Sequence, residues 1–215
     1  IARQLDYLQG LITQMNDCVS ANGELNYPSY FVDWPTHNKP DMLDGARAIN
    51  LYAANKAITL LTEFGMDTAG AQLLREKLLK IEIKPQNSKQ VIALKYMATG
   101  MLTEKEQARL VEGGAEGMST FMSYYILKAV TSFNKEAAIE MMKEYYGAML
   151  DKGATTFFED FDMQWVENSC RIDEFPQEGQ RDIHGDFGAY CYKGFRHSLC
   201  HGWASGPVPF LAERV

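Results

Sequence analysis

Residues 118–153 read MSTFMSYYILKAVTSFNKEAAIEMMKEYYGAMLDKG, and this stretch decides the fold class. Apolar residues recur at helical spacing across 118–132 and again across 134–150, which predicts two antiparallel helices. Asn134 stands between them as a good N-cap residue, because its side-chain oxygen can accept a hydrogen bond from the first turn. The helical pattern stops at Gly153, a residue type that commonly follows the last turn of a helix.

The same periodicity extends outward through most of the chain. Within 41–64 an alanine-rich face permits close helix packing, and the acids Asp41 and Asp44 suit the positive end of a helix dipole. Thr103 and Glu106 have the spacing of a capping box. Further helices are predicted at 2–19, 67–82, 88–99, 104–112 and from about Ser198. We therefore predict an all-α fold, with no strand pairing beyond short pieces within 154–196.

Composition and net charge argue against some classes of binding partner. The chain has 215 residues, of which 46% are hydrophobic and 23% are charged, which is typical of a globular domain rather than a disordered one. Its net charge of −7 offers no basic surface for a polyanion, so nucleic acid is not an expected partner. No apolar run approaches the ~20 residues of a membrane span.

The four cysteines are too far apart in sequence for a disulfide scaffold, so we expect buried free thiols. A zinc site is a weaker interpretation, because the spacing matches no common ligand pattern. Its candidate ligands are Cys191, His197, Cys200 and His201.

Two long stretches without helical periodicity, 21–40 and 154–196, are rich in aromatic residues. Loops of this length in a compact domain are usually functional or disordered. The 154–196 stretch is too aromatic for disorder. Successive helical hairpins, each followed by a loop on the same rim, predict a toroid with a ligand cleft at one mouth. We expect Asp33, Trp34, Glu159 and His201 to converge on that rim.

Each candidate has a plainer alternative. Glu159 follows a helix end and lies between aromatic residues, which would tune its ionisation, but it could also be a helix-capping acid. Asp33 beside Trp34 suits a sugar, although Trp34 could fill the core while local amides satisfy Asp33. His201, two residues before Trp203, could donate to a hydroxyl or could be a satisfied core histidine. Farther upstream, residues 182–186 favour a turn held by its own side chains.

Four segments together resemble the bacterial α-L-rhamnosidases, glycoside hydrolase family 78. Gly153-Ala154-Thr155-Thr156-x-x-Glu159 is similar to the family's Gly-Ala-Thr-Thr-x-Trp-Glu, and Ser198-Leu199-Cys200-His201 to its Ser-Leu-Asn-His. Phe31-x-Asp33-Trp34 resembles its Gly-Asp-Trp segment, and Ser119-x-Phe121 with Tyr124-Tyr125 also fits. The chain departs from the family at Val32, Phe158 and Cys200, where Gly, Trp and Asn are usual.

The resemblance implies the C-terminal part of an (α/α)6 six-hairpin toroid and inverting hydrolysis of terminal α-L-rhamnosides, without a metal or other cofactor. Glu159 would be the general base. Asp33, Trp34, Phe158, His201 and Trp203 would contact the sugar. The general acid would lie upstream, because the family's acidic Arg-Asp segment does not occur here.

Two alternatives remain open: another six-hairpin enzyme with a different sugar or lyase chemistry, and a non-catalytic carbohydrate-binding domain. The chain opens at Ile1 inside an amphipathic run and closes in what resembles the first turns of a helix. We therefore expect residues 1–215 to be one partial catalytic domain, truncated at both ends.

Overall fold

The computed structural model describes residues 2–37, 39–184 and 198–214. Within these ranges the chain forms eight α-helices: α1 Leu5–Asp17, α2 Met42–Glu63, α3 Ala69–Leu78, α4 Lys89–Thr99, α5 Glu104–Val111, α6 Ser123–Thr131, α7 Lys135–Asp151 and α8 Pro207–Arg214. Short 3₁₀ helices lie at Ala2–Gln4, Trp34–Thr36, Met163–Asn168 and Gly202–Ala204.

The predicted all-α class is confirmed for the described residues. Their β pairing is limited to two isolated bridges, Val19 with Leu25 and Ser169 with Arg181. The second bridge lies within 154–196 as expected, whereas the first lies outside it. None of the helices in the described part of the chain is long and apolar enough to cross a membrane.

Local capping chemistry places several helix ends where the sequence predicts them. The Asn134 side chain accepts a hydrogen bond from the Ala137 N–H at 3.0 Å, at the start of α7. Thr103 and Glu106 form both hydrogen bonds of the predicted capping box at the start of α5. Gly100 ends α4 with φ 73°, a left-handed conformation that favours glycine.

Two predicted helix starts are wrong. The helix expected from 118 begins at Ser123, because residues 118–122 form a turn after Gly117, which has φ 75°. The helix expected from about Ser198 begins at Pro207. Residues 198–201 instead pair with the segment that follows α7.

The helices alternate between two sets. The even-numbered helices contact one another in chain order, α2 with α4, α4 with α6 and α6 with α8. The odd-numbered helices pack on them, since α3 contacts α2, α5 contacts α4 and α7 contacts α6, while α1 packs on α3. The α2–α4 contact is close, because a Cβ at Gly45 would lie 3.1 Å from a Val91 methyl carbon.

One buried carboxylate joins α2 to α4. Asp41 is 6% exposed. Its side chain does not cap α2, the helix that it precedes, and instead binds the backbone just before α4. Its oxygens accept hydrogen bonds from the backbone N–H groups of Gln86, Asn87 and Ser88 at 2.8, 3.0 and 2.9 Å. Three charge-assisted bonds to one carboxylate fix the spacing of these two helices at the end where both begin.

We expect Asp41→Ala to lower the free energy of unfolding by about 3 kcal/mol, because three backbone donors lose their acceptor. Asp44→Ala is the matched control. It removes an acid from the first turn of the same helix and should cost less than about 1 kcal/mol. Urea unfolding followed by circular dichroism measures both values, and equal losses in the two variants would contradict this role for Asp41.

Candidate functional site

The candidate site lies where the even-numbered helices begin. Asp33 stands before α2, and Gln90 is in the first turn of α4. Ser119 and Thr120 precede α6, and Trp203 precedes α8. The side chains of Asp33, Ser119 and Gln90 are joined by hydrogen bonds. Thr120 and Trp203 both donate to the Glu159 carbonyl, so residues far apart in sequence meet at one end of the bundle.

Two segments that the sequence marks separately are paired here. The Glu159 N–H donates to the Ser198 carbonyl at 2.8 Å, and the Ser198 N–H donates to Oε2 of Glu159 at 3.0 Å. The His201 N–H donates to the Phe157 carbonyl at 2.9 Å, and the Thr156 hydroxyl donates to the Leu199 carbonyl. The stretch after α7 and the stretch before α8 therefore form one hydrogen-bonded unit.

This pairing brings Glu159 and His201 together. The Oε1 atom of Glu159 lies 3.9 Å from Nε2 of His201, and the side chains are 8% and 35% exposed. This separation is too long for a direct hydrogen bond. A water or hydroxyl oxygen can stand about 2.8 Å from both atoms at once, so the pair can hold one polar oxygen between them.

The other nitrogen of the His201 ring is buried. Nδ1 has no hydrogen-bond partner among the described residues. The ring packs on Trp203, with their centroids 4.7 Å apart. Nε2 is the ring nitrogen that faces Glu159.

Trp203 is expected to contact the sugar, but its indole N–H forms a hydrogen bond within the protein. Its indole N–H donates to the backbone carbonyl of Glu159 at 2.7 Å. Its ring lies 5.5 Å from that of Phe121. Any sugar contact by Trp203 would therefore involve the ring and not its donor.

Asp33 is 2% exposed and lies beneath the site surface. One carboxylate oxygen accepts from the Trp34 N–H at 2.9 Å, and the other accepts from the Ser119 hydroxyl. Burial raises the pKa of Asp33 to about 6, against the lowering effect of those two hydrogen bonds. The Trp34 N–H is a local amide, as in the plainer alternative from the sequence, whereas the Ser119 hydroxyl comes from a distant part of the chain.

Trp34, next along the chain, is half-buried in an aromatic group at the same end of the bundle. Its ring lies 4.7 Å from that of Phe31 and 6.1 Å from that of His37, both edge to face. Phe31 is 46% exposed. The group thus offers an apolar surface beside Asp33.

Phe158, which the resemblance would place against the sugar, has a fully buried side chain. It packs in the core against Phe161, with ring centroids 6.2 Å apart.

Sequence reasoning missed site residues in the turn before α6 and in the first turn of α4, which binds the chain leading to it. Gln90 donates to the Gly117 carbonyl at 2.8 Å and to the Ser119 hydroxyl oxygen at 3.2 Å. Lys89 donates to the Gly114 carbonyl at 2.7 Å, and burial lowers the pKa of Lys89 to about 8. Neither side chain belongs to a recognisable motif. Ser119 belongs to a segment that resembles the rhamnosidases, whereas Thr120 matches no residue of that resemblance.

Of the expected turn at 182–186, the described part is confirmed. The Asp182 carboxylate accepts from the His184 backbone N–H at 2.9 Å and lies 2.6 Å from its ring Nδ1. Gly185 and Asp186 lie outside the described residues.

The expectation of buried free thiols is only partly met. Cys170 is buried, Cys18 is half-buried and Cys200 is exposed, and all three are free. Among the described residues, no group of three or more His, Cys, Asp or Glu side chains could hold a metal ion. Cys191 and His197, named in the zinc interpretation, lie outside those residues.

Comparisons with protein families, with curated proteins and with solved structures found no match to this chain.

The pH dependence of stability tests the burial of Asp33. Since its pKa is raised to about 6 in the fold, the folded state binds this proton more tightly than the unfolded state. Asp33 should therefore contribute stability that is present below about pH 4 and lost as the pH rises through about 6.

We expect the stability difference between Asp33→Asn and the unsubstituted chain to change by about 2 kcal/mol between pH 4 and pH 7 in favour of the variant. Urea unfolding at several pH values measures this difference. The exposed Asp6→Asn is the control and should show no such change. A pH-independent difference for Asp33→Asn would rule out a raised pKa at this position.

Proposed function

We propose that this chain belongs to an inverting glycoside hydrolase that releases terminal α-L-rhamnose from glycans or glycosides. The observation that carries the proposal is the hydrogen-bonded pairing of residues 156–159 with residues 198–201. These are the two segments that most resemble the rhamnosidases. Their pairing sets an acid and a histidine side by side at the edge of an aromatic cluster.

In this proposal Glu159 is the general base. Its Oε2 accepts from the Ser198 N–H, and its Oε1 faces His201. A water beside Oε1 would give up its proton as it attacks the anomeric carbon, while His201 donates to a hydroxyl of the sugar. Inversion needs a second carboxyl group about 6.5–9.5 Å away to protonate the leaving oxygen. We place that acid in a segment upstream of these residues.

The helix order supports a six-hairpin toroid as the framework. In such a toroid, one helix of each hairpin contacts its counterpart in the next hairpin, and the other helix packs outside. The sequence of contacts from α2 to α4, α6 and α8, with α3, α5 and α7 packed on them, has this alternation. We propose that these helices are the C-terminal part of the ring.

One observation favours a second candidate, a non-catalytic carbohydrate-binding domain. Glu159 is 6% exposed, and it is bonded to Ser198 through both its backbone and its side chain. An acid that only fastened two segments together would have the same contacts. A third candidate is another six-hairpin enzyme that acts on a different sugar. Such an enzyme would retain Glu159 as its base and would not hydrolyse rhamnosides.

The test uses 2,4-dinitrophenyl α-L-rhamnoside, because dinitrophenolate leaves without a proton and the assay therefore does not depend on the general acid. We expect Glu159→Gln to lower kcat about 10²–10⁴-fold, since Gln keeps the size of the side chain and removes its basicity. The exposed Glu167→Gln is the matched control and should turn over like the unsubstituted chain.

Azide gives a second readout. With Glu159→Ala, azide can enter the space of the lost side chain and attack without a base, and inversion predicts β-L-rhamnosyl azide as the product.

Normal turnover in folded Glu159→Gln would remove Glu159 from the mechanism. Rhamnose binding by calorimetry without any hydrolysis would instead favour the binding domain.

A further inference from the structure

Two side chains donate to one backbone oxygen at the candidate base. The Thr120 hydroxyl and the Trp203 indole N–H both donate to the carbonyl of Glu159, the latter at 2.7 Å. Thr120 comes from the turn before α6 and Trp203 from the 3₁₀ helix before α8. The two donors thus reach Glu159 from different parts of the chain.

Ser198 holds the N–H and the side chain of the same residue. The Ser198 carbonyl accepts from the Glu159 N–H, and the Ser198 N–H donates to Oε2. With its carbonyl, its N–H and one carboxylate oxygen all bonded, the residue has little freedom to rotate Oε1 away from His201. Base catalysis depends on such placement, because a displacement of about 1 Å can cost about 10²-fold in rate.

Thr120 is itself held firmly. It is 1% exposed, and its neighbour Ser119 donates to Asp33 and accepts from Gln90. Hydrogen bonds to the Thr120 carbonyl come from Ser123 and Tyr146. Removing the Thr120 hydroxyl leaves all of these bonds in place, so its effect on Glu159 can be separated from the rest.

We propose that Thr120 is a positioning residue, whose hydroxyl shares with the Trp203 indole the task of holding Glu159 in its reactive orientation. Thr120 does not touch the substrate. Its effect on catalysis rests on the proposed function, whereas its effect on the geometry of Glu159 does not.

The experiment compares Thr120→Val, which keeps the shape of the side chain and loses the hydroxyl, with Thr120→Ser, which keeps the hydroxyl. On 2,4-dinitrophenyl α-L-rhamnoside we expect Thr120→Val to lower kcat about tenfold or more while KM changes less than about twofold, and Thr120→Ser to retain most of the activity. Thr131→Val is the matched control, because its hydroxyl donates within α6 to the Leu127 carbonyl.

Amide hydrogen exchange at Ser198 reports on the same geometry without an assay of activity, because this N–H donates to the Glu159 carboxylate. Exchange should accelerate severalfold in Thr120→Val and not in Thr120→Ser or Thr131→Val. Trp203→Phe removes the second donor and should act in the same direction. It decides the question if Thr120→Val does not fold.

The outcomes separate the two proposals. Faster Ser198 exchange in a chain without hydrolytic activity would support the positioning role and count against the hydrolase. In an active chain, unchanged kcat and unchanged exchange in folded Thr120→Val would overturn the positioning role and leave the hydrolase standing. An equal loss in Thr120→Ser would also overturn it, because the hydroxyl would then not be the cause.

Discussion

The hydrogen bonds between residues 156–159 and 198–201 are the interaction on which the candidate site depends. They close a segment of about forty residues at its base, so that the acid at one end and the histidine at the other lie side by side. Closing a long loop has an entropic cost that grows only slowly with its length. A long aromatic insertion at this point is therefore compatible with two ends that stay hydrogen-bonded to each other.

A second constraint operates below the surface. Asp33, Gln90 and Ser119 come from the starts of three successive even-numbered helices and are 1–3% exposed. A buried polar side chain is costly unless it is hydrogen-bonded, and these three satisfy one another. Their network specifies how the helix starts are arranged, in addition to the apolar packing that holds the helices together.

The parts of the fold that sequence reasoning predicted well are those with local causes. The N-cap at Asn134, the capping box at Thr103 and the glycine end at Gly100 involve residues within one turn of each other, so their patterns can be read directly. The wrong helix start at 118 has a distant cause. Gln90, 27 residues earlier in the chain, donates to the carbonyl of Gly117, so the turn depends on a contact outside the segment as well as on this glycine.

The same distinction applies to the candidate site. Glu159 and His201 could be identified because each belongs to a motif, and the structure places them together. The burial of Phe158 and Asp33 follows from how the segments pack, which composition and spacing do not encode. Thr120 and Gln90 carry no motif at all, so their contributions emerge only from three-dimensional contacts.

Gly206 lies outside the candidate site, but it affects the site through the packing of α8 against α6. A Cβ at this position would lie 2.9 Å from the Cβ of Tyr124, a distance that real side chains essentially never show. Any larger residue would push the start of α8 away from α6, and Trp203, three positions earlier, would move with it. The reach of the indole toward Glu159 is thus set in part by an interhelical distance. A mutation at Gly206 could alter the site over evolutionary time without changing any residue within it.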